Sequence, residues 1–393
     1  MRSARYILLI AAVIGVVLAP SCANRTVKKS DKAWAVANRI RLTTEDEPWK
    51  LMEAVYAFGP RTVAVDPITQ KRTQAIAFLA SGAIRGMVKT DAYGAYFVDS
   101  VGDKKVELHR NNFLADMVSA GVDPAKAFVN DQKADSQISE FFRRATVKLD
   151  TDMLAQDDLI TGPEGNELGW TLIALAHADM LMMAWVNENG YEIAVEDLLY
   201  IALKRPVNWG SYEGLIEQLG IAVALREYRR DLLIEDMARF EAMKKKSPKI
   251  KKPRPDLQGV DLKGMWVEVD THVKNVIEIL KKNQNEDGSF SASWYKSKEP
   301  PESAEELVTY TGHVLDFLDA ALPDENLNDP WVKKTVAALS DTVMRNRYQL
   351  YDKTWELTHA AHALRNYGKR VEQAGRPLEG IAELEAETDS CCD

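Results

Sequence analysis

The chain has 393 residues, of which 46% are hydrophobic, and its formal net charge at pH 7 is −9. A chain of this length and composition can bury a sizeable core, as one large domain or two ordinary ones, and its acidic balance argues against a nucleic acid as partner. The cysteines are Cys22, Cys391 and Cys392, so the long segment between them has neither a disulfide framework nor a cysteine-ligated metal.

Residues 1–23 have the pattern of an export signal. Arg2 and Arg5 precede an apolar run over residues 7–19, and small residues surround Cys22. The run is too short to cross about 30 Å of hydrocarbon as a regular helix. Two outcomes fit the pattern: it resembles a lipoprotein signal, which would place a lipid on Cys22, and it also fits cleavage at Ala23. We expect a periplasmic or cell-envelope lipoprotein with residues 24–43 as its tether.

Residues 44–165 are predicted to form an N-terminal helical part with a small β-hairpin. Helical periodicity covers residues 45–59 and 73–86, and shorter helices are predicted over residues 111–121 and 135–147. Weak alternation on both sides of Gly102-Asp103 predicts the β-hairpin, near residues 93–109.

Residues 166–370 predict buried helices that alternate with amphipathic ones. The nearly all-apolar segments are residues 170–185, 215–225, 265–280, 310–322 and 355–367, and the amphipathic ones are residues 196–203, 232–243 and 331–343. Between them, the proline-containing basic run over residues 244–255 predicts a solvated loop, with contact to anionic headgroups as the alternative. Residues 371–393 are predicted to be an acidic tail.

Aligning the buried helices reveals a repeat. His177, Gln218, His272, His313 and His359 then recur at intervals of 41 to 54 residues. Two helices per repeat of this length are typical of stacked helical hairpins, and the more apolar helix of each pair lies on the inside. The sequence therefore predicts an all-α fold, an α/α toroid of about five to six helical hairpins.

A turn over residues 284–290 carries a family resemblance. Its sequence, Gln-Asn-Glu-Asp-Gly-Ser-Phe, resembles the Gln-x-x-Asp-Gly-Ser-aromatic turn of terpenoid cyclases and protein prenyltransferases, which are α/α toroids with squalene-cyclase-like repeats. The resemblance implies a structural turn in which Gln284 bonds a neighbouring helix, Asp287 and Gly288 reverse the chain, and Phe290 packs below.

Residues 166–369 also resemble uncharacterised secreted bacterial toroid proteins. The matching strings are Gly169-Trp170-Thr171-Leu172, Asn208-Trp209-Gly210, the turn itself, Thr311-Gly312-His313, and His-Ala-Ala-His-Ala-Leu over residues 359–364. The Asp-x-Asp-Asp acid of triterpene cyclases is missing, and the prenyltransferase zinc site lacks its cysteine. The resemblance therefore implies a fold and no reaction.

Five of the six histidines fall on predicted buried helices. Side chains at the starts of such helices would line a central funnel, and the candidates are His177, Asp179, Trp209, Glu213, Glu217, His272, His313, His359 and His362. Imidazoles there can act as acid or base, or can simply bond neighbouring backbone. His359 and His362 share a helix face and would need a third ligand, such as His313, to hold a metal. No metal and no cofactor is assigned.

Two functions follow from these patterns. The first is a lipid-anchored envelope binding or scaffold protein whose funnel receives a peptide, glycan or lipid. The alternative is a hydrolase or lyase acting on an envelope polymer, with Glu213 and Glu217 as paired carboxylates and Trp209 as a sugar platform. The same two glutamates also fit an ordinary polar helix start, and no known catalytic set identifies the chain as an enzyme.

Overall fold

The computed structural model describes residues 25–123, 125–149, 167–246, 257–351 and 353–373. Within these residues the chain is mostly helical and carries five two-stranded antiparallel sheets. The predicted export signal with Cys22, most of the basic run and nearly all of the acidic tail lie outside the described residues.

The helices of the N-terminal half are short. They are α1 over residues 25–37, α2 Pro48–Phe58, α3 Ala75–Ala80, α4 Asn112–Ser119, α5 Ile138–Val147, α6 Glu167–His177 and α7 Val195–Lys204. The C-terminal half has longer helices: α8 Leu215–Lys246, α9 Met265–Asn283, α10 Ala304–Ala321, α11 Pro330–Arg345, the short α12 Arg347–Leu350, and α13 Thr354–Gln373.

All the described strands lie in the N-terminal half. They pair as β1 Val63–Val65 with β2 Arg72–Gln74, β3 Val88–Thr90 with β4 Ala95–Phe97, β5 Ser100–Val101 with β6 Lys104–Lys105, β7 Ala127–Val129 with β8 Asp135–Gln137, and β9 Ala184–Val186 with β10 Glu192–Ala194. The predicted turn at Gly102-Asp103 joins β5 to β6, where Val101 faces Lys104. The other hairpins have strands of three residues, too short to show alternation in the sequence.

The N-terminal half repeats one unit three times. Each unit consists of a buried helix, a β-hairpin and an outer helix that continues the second strand without a break: α2 to α3, α4 to α5, and α6 to α7. The first unit carries β3 to β6 after its outer helix. Residues 170–185 were predicted as one helix, which is wrong, because α6 ends at His177 and the chain turns into β9.

Six helices contact one another in a closed order. α2 packs on α4, α4 on α6, α6 on α8, α8 on α10, α10 on α13, and α13 returns to α2. We call these six the inner helices. Further contacts join α3 to α2, α9 to α7 and α8, and α11 to α10. Helices on both sides of the predicted boundary at 165/166 contribute to this cycle.

The segment predicted as a tether includes a packed helix. In α1, Ala33 and Ala37 are fully buried, and the ring of Trp34 lies 6.2 Å from that of Phe58 on α2. Lys29 pairs with Asp341 of α11 at 2.7 Å. Residues 25–37 thus take the place of an outer helix between the two ends of the cycle.

Two further predictions about helices were wrong. Residues 265–280 were assigned to a buried inner helix, but α9 has one buried face, carrying Trp266, Val273 and Leu280, and packs outside the cycle. Residues 215–225 and 232–243 were assigned to separate helices, but they belong to the single 32-residue α8. No Pro or Gly interrupts the sequence between them, so nothing ends the helix there.

Close backbone contact joins the two halves. A Cβ on Gly220 of α8 would lie 2.5 Å from the carbonyl oxygen of Gly169 on α6, and one on Gly169 would lie 2.6 Å from that of Ile216. Glycine is required at both positions because any side chain would collide with backbone. Beside this contact, Arg205 and Glu217 form a buried ion pair of 2.9 Å between the end of α7 and α8.

The turn over residues 284–290 connects three parts of the C-terminal half. Gln284 Nε2 donates to Trp331 O and Thr335 Oγ1 of α11, each at 2.8 Å. Gly288 has φ +95°, and a Cβ there would lie 2.4 Å from Lys334 O. Asp287 accepts from the backbone of Ser289, and the amide of buried Phe290 donates to Thr311 Oγ1 of α10 at 3.0 Å. The turn therefore has a structural role.

Among the helices of the described segments, none has the length and apolarity that a membrane crossing requires.

Candidate functional site: a buried polar cluster and an axial depression

The inner helices carry polar side chains toward the middle of their cycle. On α13 these recur three or four residues apart, at His359, His362, Asn366 and Arg370, which places them on one helix face. The same spacing applies to His313, Asp316 and Asp319 on α10, to Glu53 and Tyr56 on α2, and to Asn112 and Asp116 on α4. We call the buried set Glu53, Asp116, His313, Asp316 and His359 the central cluster.

The central cluster brings two histidines and three carboxyl groups together. The rings of His313 and His359 have centroids 4.3 Å apart. His359 Nδ1 lies 3.9 Å from Asp316 Oδ2, and His359 Nε2 lies 3.5 Å from Glu53 Oε2. These separations are too long for good hydrogen bonds. None of the four ring nitrogens of His313 and His359 has a hydrogen-bond partner in the described part of the chain.

The carboxyl groups of the cluster are unusually basic. Burial raises the pKa of Glu53 to about 8 and that of Asp316 to about 7. Burial, followed by the charge of Glu53, raises the pKa of Asp116 well above its usual value. Asn112 Nδ2 donates to Asp116 Oδ2 at 2.9 Å, and no lysine or arginine of the described segments is bonded to any of the three carboxyls.

The imidazoles around the cluster are neutral. Burial lowers the pKa of His313 well below its usual value and also lowers that of His359, where Asp316 opposes the shift. Burial likewise lowers the pKa of His362 to about 3. Asn366 Nδ2 donates to His362 Nε2 at 2.9 Å, so the ring proton is assigned to Nδ1, which donates to Asp316 Oδ1 at 2.8 Å.

Aromatic rings cover one end of the cluster. Tyr212 packs against His313 with centroids 4.3 Å apart, and Trp355 packs against His359 at 5.1 Å. Tyr212 precedes α8 in a backbone with three successive positive φ angles, 52° at Tyr212, 51° at Glu213 and 82° at Gly214. Left-handed conformations at non-glycine residues are costly, so this segment holds the Tyr212 ring against His313 at the expense of local strain.

A second set of polar residues, His177, Arg226, Asp319 and Arg370, lies near His362, and we call this set the axial depression. His177, the last residue of α6, is exposed, and Arg226 of α8 is partly exposed. Desolvation by the surrounding protein lowers the pKa of His177 to about 4, with Arg226, His362 and Arg230 adding to the shift, and desolvation also lowers the pKa of Arg226.

Ion pairs join the residues of the axial depression. Arg226 lies 3.7 Å from Asp319, and Arg370 reaches the same carboxylate at 3.5 Å. Arg370 also bonds Asp324. Charges of both signs therefore lie side by side in this set of residues.

The predicted site residues separate into two groups. His313, His359 and His362 meet in or beside the central cluster, and His177 lies in the axial depression. His272 does not join them, because α9 lies outside the inner cycle and His272 Nε2 bonds Gln218 Oε1 at 2.7 Å. Asp179 is exposed, has φ +55° and pairs with Arg230 at 3.1 Å.

The two glutamates of the glycosidase interpretation lie in and just before the start of α8. Glu217 is buried and held by Arg205, and the backbone carbonyl of Glu213 accepts a bond from Trp294 Nε1 at 3.0 Å in the strained segment before α8. Trp209 is half-buried, with the Arg205 guanidinium 5.8 Å from its ring. Their role as a catalytic pair stays a prediction.

Sequence reasoning missed the carboxyl groups of the cluster. Glu53 and Asp116 are each the only carboxylate of a short, largely apolar helix, and Asp316 lies with Asp319 in an apolar segment of α10. An isolated carboxylate in such a segment is expensive to bury, so it requires a partner or a polar cavity. Applied to every helix, this criterion would have found all three.

A separate groove of about 790 Å³ lies at the periphery, between the β4–β6 region and α5. Its cationic lining comprises Lys89, Lys105, Arg110, Arg144 and Lys148, with Asp99, Glu107 and Glu188 as acidic members. His109 lies at its inner end, with its ring 6.2 Å from that of Trp355. The groove is distinct from the axial depression.

The chain was compared with protein-family models, with curated proteins and with solved structures, and no significant match was found in any of the three.

Proposed function

We propose that the chain is an α/α toroid of six helical pairs, related in architecture to terpenoid cyclases and protein prenyltransferases. The closed contact order of the six inner helices supports this assignment, as does the Gln284 turn, whose bonds match the role that the resemblance implies. In this assignment α1, α3, α5, α7, α9 and α11 are the outer partners.

The proposed function is that of an exported, lipid-anchored binding or scaffold protein of the cell envelope. It rests on the axial depression, where Arg226 and Arg370 flank the Asp319 carboxylate and the surrounding protein desolvates His177 and Arg226, and we take these residues to line a concave ligand site. A surface of this kind recognises a ligand through a few converging polar groups. Charges of both signs around Asp319 and Arg370 fit the polar groups of a glycan or peptide better than a lipid chain.

Ligand identification is the direct test. We would purify the full chain from membranes in detergent and identify bound molecules by native mass spectrometry. We would then measure thermal shifts with the recovered ligand and with envelope glycans and peptides. We expect Arg226→Ala and His177→Ala to remove the ligand-induced shift. Lys105→Ala in the peripheral groove is the matched control and should keep it.

The outcomes distinguish the candidate functions. Loss of the shift in the Lys105 variant alone would move the binding site to the groove and contradict the proposal. Turnover of a glycan by the wild type, lost in the axial variants, would favour the hydrolase or lyase alternative over binding alone.

The anchor is tested separately. If Cys22 carries a lipid, mass spectrometry of the N-terminal peptide should show the added acyl mass, and Cys22→Ala should release the protein from the membrane fraction. A free N-terminus at Asn24 in membrane-associated protein would exclude the lipid.

A further inference from the structure

The central cluster contains donor atoms for which the described protein offers no partner. His313 is 1% exposed and His359 is 0% exposed, yet none of their ring nitrogens is hydrogen-bonded. Asp316 Oδ2 is equally buried and has no hydrogen bond. A buried polar atom without a partner costs about 1–3 kcal/mol, so five such atoms in one place indicate an occupant that bonds to them.

The charge of the cluster indicates what kind of occupant fits. Three carboxyl groups, Glu53, Asp116 and Asp316, are buried together, and no basic side chain of the described residues compensates them. Neutral imidazoles and carboxylates are ligands for divalent transition metals, and a bound cation supplies the positive charge that the protein lacks.

The geometry also fits a single ion. One ligand atom from each of His313, Asp316 and His359 can be chosen so that all three lie within 4.8 Å of one another. Two ligands on one zinc ion, with bonds of about 2.0–2.2 Å, stand at most about 4.4 Å apart. Small side-chain movements are enough to close the set, and we propose that His313, Asp316 and His359 bind a divalent transition-metal ion of the Zn²⁺ type.

Neighbouring groups orient these ligands. Asp316 Oδ1 is engaged by His362 Nδ1 at 2.8 Å, which leaves Oδ2 for the ion. His359 Nδ1 lies on the side of Asp316 Oδ2, and His359 Nε2 faces Glu53 Oε2. A carboxylate behind a metal-bound imidazole fixes the ring and raises its basicity, so Glu53 is a positioning residue. Tyr212 and Trp355 exclude water from this end.

The test uses the full chain with Cys391→Ser and Cys392→Ser, because the terminal thiols are competing metal ligands. The protein would be unfolded with a chelator in detergent and refolded with one equivalent of Co²⁺. We expect visible d–d absorption at one ion per chain, displacement by Zn²⁺, and no displacement by Mg²⁺. Zinc X-ray absorption should then show imidazole and oxygen ligands.

Variants locate the site. His313→Gln and His359→Gln should abolish the cobalt spectrum. Glu53→Gln should keep the spectrum but weaken zinc binding by roughly 10–100-fold. His272→Gln is the matched control, since that imidazole lies on α9, and it should bind like the parent. Circular dichroism checks the folding of each variant.

Two results would overturn the proposal. One is a folded parent protein that retains no more zinc after desalting than the His313→Gln variant, which would mean that the cluster holds water. The other is a cobalt spectrum that is unchanged in both histidine variants. If those variants do not fold, the X-ray absorption spectrum of the parent decides the question, because a shell without imidazole contradicts the site.

Discussion

The two halves of the inner cycle differ in construction and in the chemistry they contribute. From α2 to α7, short helices of 6 to 11 residues alternate with β-hairpins, and this half contributes the carboxyl groups Glu53 and Asp116. From α8 onward, the helices of the cycle have 18 to 32 residues, and α10 and α13 contribute His313, His359 and His362. The central cluster exists only where the halves meet.

This difference explains how the cluster is held. Neither half alone surrounds its polar groups, so each needs the other to enclose them. The halves meet at α6 with α8, through Gly169 and Gly220, and at α13 with α2. The following predictions first break the contact between the halves and then sharpen the contrast between their titratable groups.

The largest effect is expected at the buried pair that links α7 to α8. Glu217→Gln removes the ion pair that joins the buried Arg205 guanidinium to α8, which should lower the free energy of unfolding by about 3–5 kcal/mol. Urea denaturation measures it. The control is Glu235→Gln in the exposed pair with Arg239, where a change below about 1 kcal/mol is expected. Equal losses in the two variants would contradict the role assigned to the buried pair.

A smaller loss of stability is expected at the close backbone contact between α6 and α8. Gly220→Ala places a Cβ against Gly169 O and should cost about 1–3 kcal/mol, because the helices must separate. Gly312→Ala is the matched comparison within the C-terminal half. Its Cβ would lie 3.2 Å from Ala360 Cα, so its cost should be lower. A Gly312 variant less stable than the Gly220 variant in the same thermal-melting series would refute this ranking.

In the N-terminal half, a buried carboxyl group should make the free energy of unfolding fall as the pH rises. The pKa of Asp116 is raised in the folded chain, so the unfolded chain loses this proton first and stability falls as pH rises above about 3.8. Asp116→Asn removes that penalty and should stabilise the metal-free protein by about 1–3 kcal/mol at pH 8, with a smaller gain at pH 5. Urea unfolding at both pH values measures this, and an equal gain at both would be inconsistent with a titrating carboxyl.

The smallest effect on stability is expected at the exposed imidazole of His177. The pKa of His177 is lowered to about 4 in the folded chain, so below about pH 6.5 the unfolded chain binds a proton that the folded chain does not. Stability therefore falls as pH drops from 6.5 toward 4, opposite to the trend at Asp116. His177→Gln should reduce this slope slightly. An NMR titration midpoint near 6.5 for His177 would mean that bulk water, and not protein, surrounds this imidazole.

Sequence patterns located α2 to α5 in the N-terminal half and α10, α11 and α13 in the C-terminal half, but missed most of the β-hairpins. Long apolar segments around His313 and His359 have a strong helical period, and the Gln284 turn has a distinctive sequence. In the N-terminal half, three-residue strands such as β7 and β9 give no usable period. The outer position of α9 also escaped prediction, since its face with Trp266 and Val273 looks like that of a buried helix until its neighbours are known.

The sequence predicted the imidazoles of the candidate site but not its carboxyl groups. Aligning the repeats found the imidazoles because they recur. Glu53 and Asp116 do not recur, and they lie at different positions along α2 and α4. Their proximity to His359 depends on long-range closure between α13 and α2, which joins residues about 300 positions apart, and local patterns do not encode this.

If Cys22 carries a lipid, the early start of α1 limits the distance between the helical residues and the membrane. Residue 25 is already helical and lies three positions after Cys22. At about 3.3–3.6 Å per extended residue, that distance spans only about 10 Å. A lipid on Cys22 would thus hold the protein close against the bilayer with a restricted orientation. Its ligands would then have to come from the membrane-proximal layer, and components on the far side of the periplasm would be beyond its reach.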